Sequence, residues 1–382
     1  MELLPNEDVG ELRDVVRAFV DKVSPEDEVR RLMETELGHD RAVWRRLAGE
    51  LGLTGLGVPE EYGGVGGGFQ EIAVVLEEMG RALMCTPYLA TVVLAAGALL
   101  RSPDEAARAE YLPGIVSGET VATLALAEGP ADWDDPAVIT TTATRTAAGW
   151  ELTGTKLFVL DGTAASLILV AARTGSEPAD IGLFAVEGNA AGLRRTAMTT
   201  LDPTRKLARL DFVGVPARLV GEERGAWPVL GHVLDLAVVG LACEQVGGAQ
   251  RVLDMAVEYA KARIQFARPI GSFQAIKHRC ADIALGLDAA RSAALYGVWA
   301  AATASPELPV AAAIAKVRCS EGFMFAAAEN VQVHGGIGFT WEHPAHLYFR
   351  RAKSGALLFG DPARHRDRLI EHVTASVESE AL

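Results

Sequence analysis

Residues 233 to 266 read VLDLAVVGLACEQVGGAQRVLDMAVEYAKARIQF, a stretch too long and too rich in Ala and Leu for a strand. Two further long helical stretches follow, near 273 to 302 and 309 to 331, so everything from Trp227 onward reads as helices. The front of the chain is helical as well. In ELRDVVRAFVDKV the apolar residues Leu12, Val15, Val16, Phe19 and Val20 recur at helical spacing, and DRAVWRRLAGELG repeats the pattern before stopping at Gly52. Between these blocks the character changes. AVITTTATRTAAGWELTGTKLFVL, residues 137 to 160, alternates β-branched and polar residues around a turn at Ala148 and Gly149, and SLILVAAR, IGLFAVEG and KLARLDFVGV follow as strand-like runs. The expected organisation is therefore α+β and mostly α, with helices over 1–118, a β domain over 119–226 and helices again over 227–382.

With 382 residues and 49% hydrophobic content, the chain can fill two or three packed cores. A formal charge of -14 argues against nucleic acid or anionic membrane as partner, because such binding needs clustered Lys and Arg. Cys85, Cys243, Cys280 and Cys319 lie far apart without metal-ligand spacing, and read as buried free thiols in a reducing cytoplasm. The apolar run LATVVLAAGALL, 89 to 100, is too short to span a bilayer.

Specific wording appears in the last third. YAKARIQFARPIGSFQAIKHRCAD (259 to 282) and VQVHGGIGFTWEHPAHLYFRRAK (331 to 353) resemble the two C-terminal signatures of the acyl-CoA dehydrogenase family. LTGLGVPEEYGGVGGG resembles its N-terminal loop, YLPGIVSGE its entry to the β domain, and ELTGTKLFVLDG its flavin-facing strand. The resemblance implies an N-terminal α-helical domain, a middle β-barrel domain and a C-terminal four-helix bundle, acting on an acyl-CoA with FAD as cofactor. It also implies an oligomer, a dimer or a homotetramer, and electron-transfer flavoprotein or a similar acceptor.

On that resemblance, Arg263 offers a planar fork of donors to the FAD pyrophosphate, with Gln265 and Phe266 beside it, in a segment that the family extends to the FAD of the neighbouring subunit. Phe273 and Gln274 flank the adenosine end. Gln332, Gly335 and Gly336 meet the same dinucleotide, the glycines removing side chains where backbone approaches. Phe158 replaces the Trp that usually lies against the flavin ring and keeps a π face. Leu126 and Ala127 stand where backbone and a Thr hydroxyl usually contact the ring, so one hydrogen bond is lost. The bland alternatives are a helix-terminal charge for Arg263 and a plain helix stop for Gly335 and Gly336. His334 reads as packing near the FAD, and Ala267 departs from the family's usual Gly.

The family reaction removes a proton from Cα of the thioester while Cβ gives up a hydride, which requires an aligned carboxylate and a polarised thioester oxygen. The two family positions for that Glu fall on Phe359, before Gly360, and on Ala237. Neither is an acid. Glu244, seven residues beyond Ala237 and about 10 Å further along the helix, and Asp361, two residues past Phe359, are the candidate catalytic substitutes. Asp361 also fits as a cap for a helix beginning at Pro362. The family's Gly-Ala-Gly-Ser-Asp run near the CoA arm is replaced by GPADWDD, 129 to 135, and AVVG supplies no Arg after Ala237. These departures are similar to bacterial steroid side-chain-degrading members that pair a base-carrying subunit with one lacking the base. The leading reading is an FAD-dependent dehydrogenase of a bulky acyl-CoA; the alternatives are a base-less partner in a hetero-oligomer and a flavin oxidase or monooxygenase of the same fold.

Overall fold

The structure is a computed structural model describing residues 7–130, 133–147 and 149–380, with side chains as far as residue 374. Helices α1 (Glu7–Val23), α2 (Glu26–Met33), α3 (Arg41–Gly49), α4 (Phe69–Arg81), α5 (Ala96–Arg101) and α6 (Glu105–Val116) come first. Strands β1 (Ala122–Ala125), β2 (Thr142–Thr146), β3 (Gly149–Leu160), β4 (Leu167–Arg173), β5 (Ile181–Glu187), β6 (Leu193–Ala197) and β7 (Leu207–Val220) follow. The last block holds α7 (Trp227–Ala262), the two-residue strands β8 (Ile264–Gln265) and β9 (Arg268–Pro269), α8 (Gln274–Ala302), α9 (Leu308–His334), α10 (Ala345–Leu357) and α11 (Pro362–Glu380). The order of helices, strands and helices is the expected one. The chain divides into two compact units, one of residues 30–72 and 85–237, the other of 1–29, 73–84 and 238–382.

In the first unit the sheet runs β1-β4-β2-β3-β7-β5, and β5 pairs back onto β4. That pairing closes β4, β2, β3, β7 and β5 into a ring, so the expected barrel is present, with β1 added beside β4 and β6 beside β7. Inward residues Trp150, Leu152, Ile168, Val170, Phe184, Leu210, Phe212 and Val215 fill it, with Trp150 edge-on to Phe184 at 5.3 Å between centroids. β2 and β3 form the expected hairpin, although Ala148 of its turn lies outside the described residues. α3 starts where Asp40 accepts hydrogen bonds from the amides of Ala42 and Val43, at 2.7 and 3.1 Å.

In the second unit α9 packs against α8, α10 and α11. Ile283 and Leu287 of α8 are buried at helical spacing with Ala290, Ala294, Gly297 and Ala301, whose small side chains keep that packing close. α4 meets α7 through glycines, since a Cβ on Gly247 would lie 1.8 Å from the Glu77 carbonyl oxygen and one on Gly80 would lie 2.0 Å from that of Glu244. Glu78, 1% exposed, gathers Arg13, Arg17 and Arg81. On α1, Val16, Phe19 and Val20 are buried as the spacing predicts, but Val15 is 51% exposed. α7 has the length and apolarity of a membrane span, yet 78% of its most apolar window is buried inside the protein.

Candidate functional site

The residues singled out for flavin contact fall in both units. In the barrel unit, β1 ends at Ala125 and the chain continues through Leu126 and Ala127, both buried. β3 holds this segment from the side: the Leu157 amide donates to the Ala127 carbonyl at 2.8 Å, and Thr123 Oγ1 donates to the Leu160 carbonyl at 2.6 Å. Phe158, partly buried, has φ 55° beside a register shift in the β3–β7 pairing between Lys156 and Val159. A left-handed Phe inside a strand is costly by about 1 kcal/mol or more, and such conformations concentrate at functional positions. The bulge is what turns this ring out of the regular alternation of β3.

Two residues before it, sequence reasoning overlooked a buried ion pair. Lys156 is 0% exposed, and its Nζ donates to Glu128 Oε1 at 2.8 Å and to the Leu126 carbonyl at 2.9 Å. Glu128 also accepts from the Thr140 amide at 2.8 Å, the Thr141 amide at 2.9 Å and the Thr140 hydroxyl. Burial works against the Glu128 charge, but the Lys156 ammonium and these hydrogen bonds outweigh it and hold the carboxyl below its usual range. Burial lowers the Lys156 pKa, and Glu128 offsets part of that shift. The available signal was period-two: Trp150, Leu152 and Lys156 share the inward phase of β3, where a Lys needs a partner.

In the helical unit, Arg263, Gln265, Phe266 and Gln274 are exposed, while Phe273 is partly buried. β8 and β9 make a tight ribbon whose turn residues Phe266 and Ala267 have φ 54° and 59°. This is the left-handed pair that a two-residue hairpin demands, taken here by residues with side chains. Phe266 is 86% exposed at the tip, and Arg268 lies 4.2 Å over the Phe273 ring. Gln332, Gly335 and Gly336 are exposed at the end of α9, Gly335 with φ 64°. A Cβ placed on either glycine would meet nothing within 4 Å, so backbone is presented to open space. The donors of Arg263, Gln265 and Gln332 with that bare backbone fit a dinucleotide diphosphate in chemistry. His334 is buried: it stacks on Tyr259 at 4.3 Å, lies 4.2 Å from the His343 ring, and donates from Nδ1 to the Asn330 carbonyl.

The two positions expected from the resemblance for the family's base are apolar and buried: Ala237 on α7 and Phe359 after α10. Phe359 has φ 60° and is followed by Gly360 at φ 91°, so a sharp left-handed turn stands where the family's Glu-Gly pair is expected. His365 Nε2 donates to the Phe359 carbonyl at 2.9 Å, and Lys316, fully buried, donates to the carbonyls of Gly355 and Leu358 at 2.5 and 2.6 Å. The structure places Asp361 at the surface, where Oδ1 accepts from the Arg364 amide at 2.9 Å and caps α11, with Pro362 as first helical residue. Glu244 is buried on α7 and ion-paired with Arg351 of α10. Of the loop 129–135, residues 131 and 132 lie outside the described residues, and Trp133 is buried.

Family models match nearly the whole chain: the acyl-CoA dehydrogenase N-terminal domain over residues 6–119, the middle domain over 123–213 and the C-terminal domain over 225–374. Acyl-CoA dehydrogenase IpdE2 of Mycobacterium tuberculosis is 36% identical over 376 residues, 98% of this chain and 100% of that protein. The ChsE4-ChsE5 complex of Mycobacterium tuberculosis contains a chain 32% identical, with a TM-score of 0.87 over 98% of this chain and 99% of that one. Butyryl-CoA dehydrogenase of Megasphaera elsdenii is 26% identical with a TM-score of 0.91, covering 98% of this chain and 100% of the other.

Proposed function

We propose, from the premise that this chain belongs to the acyl-CoA dehydrogenase family, that it is an FAD-binding subunit serving α,β-dehydrogenation of an acyl-CoA thioester, with the proton-abstracting carboxylate supplied by a second kind of subunit. One observation supports this reading: Ala237 and Phe359, the positions that the resemblance assigns to the family's base, hold buried apolar side chains. The two substitutes have other engagements. Asp361 caps α11 and Glu244 is held by Arg351 in a buried ion pair. Bound FAD would supply acceptance of the hydride lost from Cβ. This chain's residues bind and orient: Arg263, Gln265 and Gln332 offer donors to the diphosphate, Gly335 and Gly336 admit its close approach, and Phe158 offers a ring face. Exposed Phe266 and Phe339, 86% and 83%, support burial of this surface in an oligomer. The chain in the ChsE4-ChsE5 structure comes from a complex of two differently named proteins, which favours a hetero-oligomer here. The assembled enzyme is cytoplasmic and passes its electrons to electron-transfer flavoprotein or a similar acceptor.

The test is anaerobic mixing of the purified chain with a panel of acyl-CoA thioesters while flavin absorbance is followed. The expected result is no bleaching by the chain alone and rapid bleaching once a base-carrying chain is added. Bleaching by the chain alone, lost in Asp361→Asn or Glu244→Gln, would replace this reading with a self-sufficient dehydrogenase.

A further inference from the structure

We infer that the buried pair of Lys156 and Glu128 is a positioning device that aims the Ala127 backbone amide at the flavin, an inference that rests on the FAD reading above. The pair is unexpected on stability grounds. Lys156 lies in the inward phase of β3 with Trp150 and Leu152, and a well-packed apolar side chain there stabilises a barrel at least as well as a buried ion pair. What the pair does, and an apolar residue cannot, is hold backbone. Nζ takes the Leu126 carbonyl at 2.9 Å and the Leu157 amide takes the Ala127 carbonyl at 2.8 Å, so two consecutive carbonyls are drawn to β3. A trans peptide is planar, with its N–H opposite its C=O. Fixing the Leu126 carbonyl therefore fixes the direction of the Ala127 N–H, which points away from Lys156.

Glu128 completes the arrangement. Its carboxylate holds Nζ at 2.8 Å and is itself fixed by the amides of Thr140 and Thr141, so the ammonium cannot swing away from Leu126. Position 127 carries Ala and has no side-chain hydroxyl to offer a ring. The backbone N–H is the donor that this residue possesses, and its aim matters more here than where a hydroxyl stands beside it.

The experiment uses flavin-stripped protein reconstituted with FAD, alone and with a base-carrying partner chain, comparing the parent with Lys156→Met and Lys156→Met/Glu128→Gln. The single variant leaves a buried carboxylate without its cation and is expected to lose thermal stability. The double variant removes both charges and is expected to regain most of that stability, yet to bind FAD about tenfold more weakly and to show a visible flavin band shifted toward that of free FAD. Recovery of stability together with parental affinity and spectrum would make the pair merely structural and overturn the inference, while leaving the FAD reading intact. A parent that takes up no flavin in either setting overturns both. Where the variants do not fold, amide hydrogen exchange on the parent decides: FAD is expected to slow exchange at Ala127, and an unchanged Ala127 amide overturns the inference.

Discussion

Two lysines, Lys156 in the barrel unit and Lys316 in the helical unit, are completely buried, and each holds backbone carbonyls next to a position where family chemistry is expected. Their surroundings differ. Lys156 shares its charge with the Glu128 carboxylate and also holds Leu126. Lys316 reaches the carbonyls of Gly355 and Leu358 at the end of α10, where a helix presents its negative pole. The first arrangement couples two charges, so removing one strands the other. The second sets a charge against the peptide dipoles of a helix end, and its loss strands two carbonyl acceptors. A buried lysine is thus a backbone clamp in both units, with different consequences when it fails.

The largest effect should come from Lys156→Met, which leaves Glu128 without its cation: about 4 kcal/mol of stability lost in urea unfolding. Lys316→Met should cost less, about 3 kcal/mol, because it deprives two carbonyls of a donor. A larger loss at Lys316 would break the distinction between charge coupling and carbonyl capping. Acid should act on the barrel pair next, at about 2 kcal/mol. The folded Glu128 pKa is depressed, so its stabilisation is present above the ordinary carboxylate range and is lost as pH falls through it. Urea midpoints from about pH 6 to about pH 3 should fall more steeply for the parent than for Lys156→Met/Glu128→Gln. At the alkaline end the sign reverses: the folded Lys156 pKa is lowered, so the unfolded chain keeps its proton longer and stability rises there. The smallest effect belongs to the ribbon of the helical unit, where Ala267→Gly relieves a left-handed Ala at φ 59° and should add about 1 kcal/mol. No gain there would show that the turn carries no strain.

Much of this architecture was legible because long periodic stretches carry a strong signal. α8 and α9 run over Gln274–Ala302 and Leu308–His334, close to the stretches read from spacing. β1 has only four residues, and β6, LRRTA, is almost wholly exposed, so neither offers the alternation by which a strand is recognised. Local spacing also cannot announce partners distant in sequence. Glu128 and Lys156 lie 28 residues apart, and Glu244 meets Arg351 across 107. Asp361 was legible as a cap because a cap is a local motif, with Pro362 following at once. The left-handed turn at Phe266 and Ala267 was not, because neither residue advertises positive φ as Gly or Asn does.

Ring closure in the barrel sets an order of opening. β4 has hydrogen-bonded neighbours on both sides and cannot leave without breaking the ladder to β5 and those to β1 and β2. β6 is joined to the sheet through β7 and shows most of its surface to solvent. Thermal fluctuations should therefore peel β6 first, at a free energy well below that of global unfolding, while the amides of β4 exchange only when the whole ring opens. The barrel would behave as a single cooperative block with one frayed margin.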